Sequence, residues 1–357
     1  MFKYLIVILS IVLLFFADSI KAQGALSKKD ADHIINGEAP SVAVGGTKVF
    51  MAFASGDSIF CSYSSNKGQK FSTPVLVAIL NGLVNAGGRG PQIVCGKGQL
   101  LLAAPDTSGN FYSWLRKETE SSWTRGGRIN DLANIAKEGF LSLGTNGNGH
   151  FFAVWLDLRV ARKNNIYCAR SIDGGKTWLK NQLLYKSPDG SVCDCCKPAV
   201  AIKDQLVVVM FRNNLKGNRD LYLIQSKDGG ATFGRAYKLG EGNWKLNGCP
   251  MDGGGLMIET NRTIRSVWRR EGSIYTCEPG KKEIFVGKGR QCVMAGMNEN
   301  YYVAFISKGR LYCRKPDGKI IDLGQGDGYP KLVAVDKLTT LCVWEYENKI
   351  HNVLLFN

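Results

Sequence analysis

Apolar and polar positions in this chain fall into short blocks and not into long periodic ones. Lys48-Val-Phe-Met-Ala-Phe53, His150-Phe-Phe-Ala-Val-Trp155, Leu206-Val-Val-Val-Met-Phe211, Ile264-Arg-Ser-Val-Trp268, Tyr301-Tyr-Val-Ala-Phe305 and Leu341-Cys-Val-Trp344 are rich in β-branched and aromatic residues and bounded by Gly, Asn and Asp. Such residues suit a pleated, covered surface, and the flanking residues suit turns. A second short strand, ending in an aromatic, follows most of these blocks: Ser58-Ile-Phe60, Asn165-Ile-Tyr167, Asp220-Leu-Tyr222, Ser273-Ile-Tyr275 and Arg310-Leu-Tyr312. No stretch sustains a helical period. The pattern predicts an all-β chain.

An octapeptide repeats on top of this pattern. Ser171-Ile-Asp173-Gly-Gly175-Lys-Thr177-Trp178 recurs as Ser226-Lys-Asp228-Gly-Gly230-Ala-Thr232-Phe233, and in degenerate form as Ser64-Ser-Asn66-Lys-Gly68-Gln-Lys70-Phe71. The first two copies start 55 residues apart, and the degenerate copy lies about twice that distance upstream. A fixed period of this length in an all-β chain means propeller blades. About seven units start near Ala39, Gly90, Gly139, Pro198, Gly254, Cys292 and Pro330. The last has no evident fourth strand, and the N-terminal segment is the piece left to supply it. The fold class is therefore a single β-propeller of six or seven blades with no internal linker.

The pattern Ser-x-Asp-x-Gly-x-Thr-aromatic resembles the Asp box, or BNR repeat, of secreted bacterial sialidases and related propellers. Its chemistry is structural: the Asp accepts N–H bonds across a tight turn, glycine takes positive φ, and the aromatic ring fills the space between sheets. Asp173 and Asp228 are therefore assigned to folding. The resemblance is strongest over residues 139–255 and implies a sialidase-like propeller, which in sialidases has six blades. It also implies three arginines for a substrate carboxylate, a Tyr–Glu nucleophile pair and an Asp acid/base. Arg212 ends its strand where the family carries an arginine, and Arg269 or Arg270 stands at the same place one unit later. Tyr329, with Trp344-Glu345 following, resembles the segment that bears the nucleophile, and Asp57 falls where the acid/base would lie. The loop from Asp157 to Arg159 is expected to line the mouth. Two positions depart from the family. Glu38-Ala39-Pro40 replaces its Arg-Ile-Pro, which leaves Arg89 as the substitute arginine. Cys195-Cys196-Lys197-Pro198 occupies the place of the Glu partner, with Asp194 the nearest carboxylate.

Charge narrows the partners. The chain of 357 residues has 46 Lys and Arg against 30 Asp and Glu, a formal +16. This excess favours acidic ligands such as sialic acids, uronates and sulfated glycans. The basic residues are scattered and no DNA-reading motif is present, so nucleic acid is not an expected partner. Residues 1–22 read as a signal peptide: Lys3 precedes an apolar run from Leu5 to Ala17, and Ala22 offers a small residue for cleavage. Residues 23–357 then form the propeller domain, exported to the periplasm, the cell surface or the medium, with no membrane span after cleavage. A monomer without cofactor is expected.

The 11 cysteines divide in two. Cys61, Cys168, Cys277 and Cys313 recur at similar strand positions and read as small buried packing residues; Cys95, Cys292 and Cys342 also sit in apolar strands. Cys193-Asp-Cys195-Cys196 and Cys249 lie in loops one unit apart. They are expected to hold a disulfide between Cys249 and the first group or, alternatively, a soft-metal site that includes Met251. With three histidines in the chain, no histidine metal or triad motif is available. The leading function is a propeller that binds acidic glycans and, in the catalytic reading, hydrolyses them as an exo-α-sialidase. The alternative is a non-catalytic propeller binding a glycan, a protein partner or a soft metal at the same face, and a different hydrolase or lyase on the same scaffold is a third reading.

Overall fold

A computed structural model describes residues 35–356, so the leader read over residues 1–22 lies outside the described residues. The described chain folds as seven four-stranded antiparallel sheets. The described residues open on β1 (Ile35–Asn36), and the first complete blade is β2 (Glu38–Gly45), β3 (Lys48–Ser55), β4 (Ser58–Ser64) and β5 (Val75–Ile79). Five more blades follow, with innermost strands β6 (Gln92–Gly96), β10 (Leu141–Thr145), β14 (Ala199–Lys203), β18 (Gly255–Ile258) and β22 (Arg290–Met297). The seventh consists of β26 (Gly328–Ala334), β27 (Thr339–Tyr346), β28 (Lys349–Phe356) and β1. The ring has seven blades, one more than the sialidase resemblance implies, and the expected units begin within a few residues of these inner strands.

The apolar blocks of the sequence are the second strands of the blades. β3, β11 (Phe151–Val160) and β15 (Leu206–Arg212) are buried along almost their whole length. A neighbouring blade covers each face of such a strand, so its sequence is a continuous apolar run and does not alternate. Seven apolar clusters fill the seven gaps between blades. Phe152, Val154, Val207, Val209 and Phe211 form one of them. Cys61, Cys168, Cys277, Cys292, Cys313 and Cys342 are buried in these clusters; Cys95 is half-buried and donates to Glu118 at 2.9 Å.

Each octapeptide forms the turn between the third and fourth strands of its blade. Ser171 Oγ accepts from Gly175 N at 2.9 Å and donates to Asp173 at 2.8 Å, while Asp173 accepts from Thr177 N and Oγ1. The Ser226 copy repeats these bonds. In the degenerate copy Asn66 Oδ1 takes the place of the Asp oxygen. Gly175 has φ +88°, and a Cβ there would lie 2.6 Å from Leu101 Cδ1 of the preceding blade. Only glycine meets both demands.

β1 closes the ring. Ile35 pairs with Ile350 and Asn36 with Lys349, and Gly37 N donates to Asn348 O at 3.0 Å. Ile35 packs on the cluster that holds Phe53, Phe71, Leu341 and Ile350.

Candidate functional site

In an antiparallel four-stranded blade, the loops joining second to third strands open at the same end as the loops joining one blade to the next. The octapeptide turns lie at the other end. All the residues singled out in the sequence for ligand contact are at the first end, which forms the mouth of the channel between the innermost strands. Two cavities open there. A central one of about 300 Å³ is lined in part by Gln92, Lys197, Asp252 and Gln291. A second, of about 310 Å³, is lined by Glu38, Asn85, Arg89, Asp327 and Glu345. Gly87, Gly88, Tyr329 and Lys331 line both.

Tyr329 is thus the wall between the cavities. Its backbone is at φ +50°, and its ring lies so close to Gly88 that a Cβ there would be 2.6 Å from it. Burial raises its hydroxyl pKa, while a hydrogen bond from Gln291 and the charge of Arg89 pull it down. Glu345 is the register partner of Gly328, next to Tyr329, and its Oε2 accepts from Ala39 N at 2.8 Å. Burial pushes the Glu345 carboxyl up, and the charges of Glu38 and Asp327 push it the same way. On the cationic side, burial in the channel brings the Lys331 amine down to about 8. Lys197 donates to Gln92 Oε1 at 2.9 Å; burial and the charge of Lys331 lower its pKa as well.

Asp252 also lines the central cavity. It is buried, its Oδ2 accepts from Gln291 N at 2.7 Å, and its Oδ1 has no partner, as is true of Gln291 Oε1. Burial raises this carboxyl against the pull of Arg212, Arg269 and Arg290. Unpaired buried oxygens at a cavity wall are the atoms that a ligand or an ordered water satisfies.

The arginines expected to gather on one carboxylate have separate engagements. Arg89 lies in the second cavity, donating to Glu138 O and stacking on Phe140 at 4.0 Å. Arg212 is 1% exposed and gives its nitrogens to three carbonyls, Asp252 at 3.0 Å, Arg219 at 2.5 Å and Arg269 at 3.0 Å. It is a strut between blades, with no face left for a ligand. Arg269 lies over Trp244, 3.9 Å from Asp252, with a buried Nε that has no partner. Arg270 is paired with both oxygens of Glu283. Asp157 is fully buried and accepts from Trp155 and Arg159; Arg159 also binds Asp131 and Asn181. Asp57 is exposed at a strand turn, where its carboxylate accepts from Gly82 and Leu83 N at 3.1 Å, and it lines neither cavity. Of the residues named as candidates, Tyr329, Arg89, Cys195 and Met251 border the cavities, together with Glu345.

Cys195 and Cys249 are joined, Cα to Cα 6.1 Å, linking the two loops. The Sγ of Cys193 is 3.7 Å from that of Cys195 and 3.5 Å from that of Cys196. The hydrogen bond shared with Cys196 and the charges of Arg212 and Arg219 hold the Cys193 thiol below its usual range, while burial raises that of Cys196.

No family model and no curated protein matches the chain. Solved structures do. An ulvan lyase, described as a new family of polysaccharide lyase, superposes with a TM-score of 0.61 at 9% identity, over 92% of this chain and 94% of that one. A sialidase, Hadza microbial sialidase Hz136, gives 0.53 at 14%, over 89% of this chain and 65% of that one. The SapL1 lectin, in complex with alpha methyl fucoside, gives 0.51 at 12%, over 82% and 97%. The likeness is one of fold. It supports a sialidase-like propeller, and the chemistry rests on the residues of this chain. Among the described residues no helix is long and apolar enough to cross a membrane.

Lys331, Lys197, Gln291 and Asp252 were not singled out from sequence as ligand contacts. A signal for two of them was present: Lys197 precedes Pro198 and Lys331 follows Pro330, where innermost strands begin. Proline suits a strand with a free edge, and the free edge here faces the channel.

Proposed function

We propose that this chain binds an acidic saccharide at the mouth of the propeller and that Tyr329 and Glu345 act on it. One observation carries the reading: Tyr329 forms the common wall of two cavities that offer Lys331 and Arg89 beside Glu345. Amines and a guanidinium meet a carboxylate or sulfate with charge-assisted bonds. A leaving glycosidic oxygen needs a proton, and Glu345 holds one further up the pH scale than an exposed glutamate does. A tyrosine attacking the anomeric carbon, as in exo-sialidase chemistry, avoids the repulsion a carboxylate nucleophile would feel from an acidic sugar. A polysaccharide lyase, a sialidase and a lectin in complex with a fucoside share this fold, which supports a saccharide ligand.

The test is binding and turnover on sialylated, uronate-containing and sulfated oligosaccharides against neutral ones, together with a fluorogenic sialoside. Acidic saccharides should be retained. Lys331→Met should weaken them roughly tenfold or more, the worth of a charge-assisted bond. Tyr329→Phe should bind but lose turnover. Equal retention of neutral saccharides, or none at all by a folded chain, overturns the reading. A binding-only propeller is the second reading, favoured by the engagement of Arg212 with three carbonyls. Tight acidic binding without turnover in the wild type selects it.

A further inference from the structure

We propose that Cys193, Cys195, Cys196 and Cys249 form a zinc-binding centre of four thiolates, assembled when the Cys195–Cys249 bond is reduced. The sulfurs of Cys193, Cys195 and Cys196 are 3.5, 3.7 and 3.9 Å apart. A tetrahedron with Zn–S bonds of ~2.3 Å has an edge of about 3.8 Å, so these three sulfurs already form one of its faces. Cys249 Sγ lies against Cys195 Sγ as its bonded partner. Cleaving that bond frees Cys249, which lies in an exposed loop beside this face, to swing onto the fourth vertex. An all-sulfur set suits a thiophilic ion and leaves no open position, the pattern of a structural site.

The surroundings are prepared for it. Cys193 and Cys196 are each 1% exposed. Cys193 N is anchored on Arg212 O at 3.0 Å, and Asp252 N donates to Cys196 Sγ at 3.4 Å. Four thiolates around a divalent ion carry net negative charge, and the Arg212 and Arg219 guanidiniums stand close enough to act on these sulfurs. The other seven cysteines are placed elsewhere, on strands or at their ends. The centre would join the loops that lead into β14 and β18, and the second of these carries Asp252.

The steps balance. Reduction of the Cys195–Cys249 bond takes two electrons and two protons, which an added phosphine or dithiol supplies. Binding then releases four protons, one from each thiol. The inference is independent of the saccharide reading, since none of its tests uses a sugar.

The experiment is a cobalt titration of the full chain, reduced by a phosphine without oxygen. The expected result is about one ion per chain, with thiolate charge-transfer bands and the visible spectrum of tetrahedral cobalt. Zinc should displace it and raise the melting temperature. The double variant Cys193→Ser, Cys196→Ser should lose the spectrum, and Cys61→Ser, altering a single buried cysteine, should keep it. Cys249→Ser, which cannot form the bond and needs no reductant to open it, should bind through three sulfurs at least ~10-fold more weakly. A spectrum that persists in the Cys193/Cys196 double variant overturns the proposal. So does its absence from both the reduced chain and Cys249→Ser while either keeps its melting transition.

Discussion

At the scale of single residues, the mouth is governed by groups whose protonation the ring has changed. Lys331 is the clearest. Its amine, held near 8 by burial, carries the charge an anion needs only below that pH. The affinity for an acidic saccharide should therefore fall by ~10-fold per pH unit above about 8, while Lys331→Met flattens the profile; titration calorimetry across that range reads it. Arg212 makes the opposite case. Its position at a strand end singled it out in the sequence, but a sequence does not distinguish an arginine that meets a ligand carboxylate from one that meets carbonyls of its own chain. Here the nearest partners are three carbonyls, with Asp252 also in reach of its charge. Arg212→Ala should thus cost on the order of 3 kcal/mol of stability in urea denaturation, because it leaves buried acceptors without donors. Asp57, Asp157 and Arg159 are engaged in the same way, by bonds within the chain. Local turns and ion pairs consume polar groups that look available in one dimension.

At the scale of elements, what was legible is what is local. The octapeptide needs only its own eight residues to make its turn, so two good copies and one degenerate copy were readable. The degenerate copy folds alike because Asn66 keeps the one side-chain oxygen that matters. Ser171 is the hub of its copy, fully buried and accepting from Gly175 N. Ser171→Ala should lower stability by ~1–2 kcal/mol, seen as a shift of the urea midpoint at unchanged slope, since a buried N–H loses its acceptor. The second strands were legible as well, because cover on both faces writes a continuous apolar run. The loops between blades were not. Lys197, Asp252 and Gln291 converge from different loops and strands, and no local pattern records which of them meet across a channel.

At the scale of the whole molecule, the repeat count was readable and its closure nearly so. The last unit lacked a fourth strand in the sequence, and β1 supplies it with two paired residues. The same count departs from the six blades of the resemblance. A clasp this short should be the first part of the ring to give. A chain beginning at residue 38 should melt roughly 5 °C below one beginning at residue 23, as thermal circular dichroism would show, since it loses the β1–β28 bonds and the contacts of Ile35.

The clasp also sets an order of events during synthesis. β1 is made before the six blades that separate it from its partner β28, so it waits until all of them have emerged. The Ala39–Glu345 bond beside it spans 306 residues. Earlier blades can pair within themselves as they emerge, but the nascent chain carries one open flank on the blade of β2 and another on its latest until β28 is released. Any cellular factor that shields such flanks has its longest task here, and a ribosome that stalls before β28 leaves an open arc and not a ring.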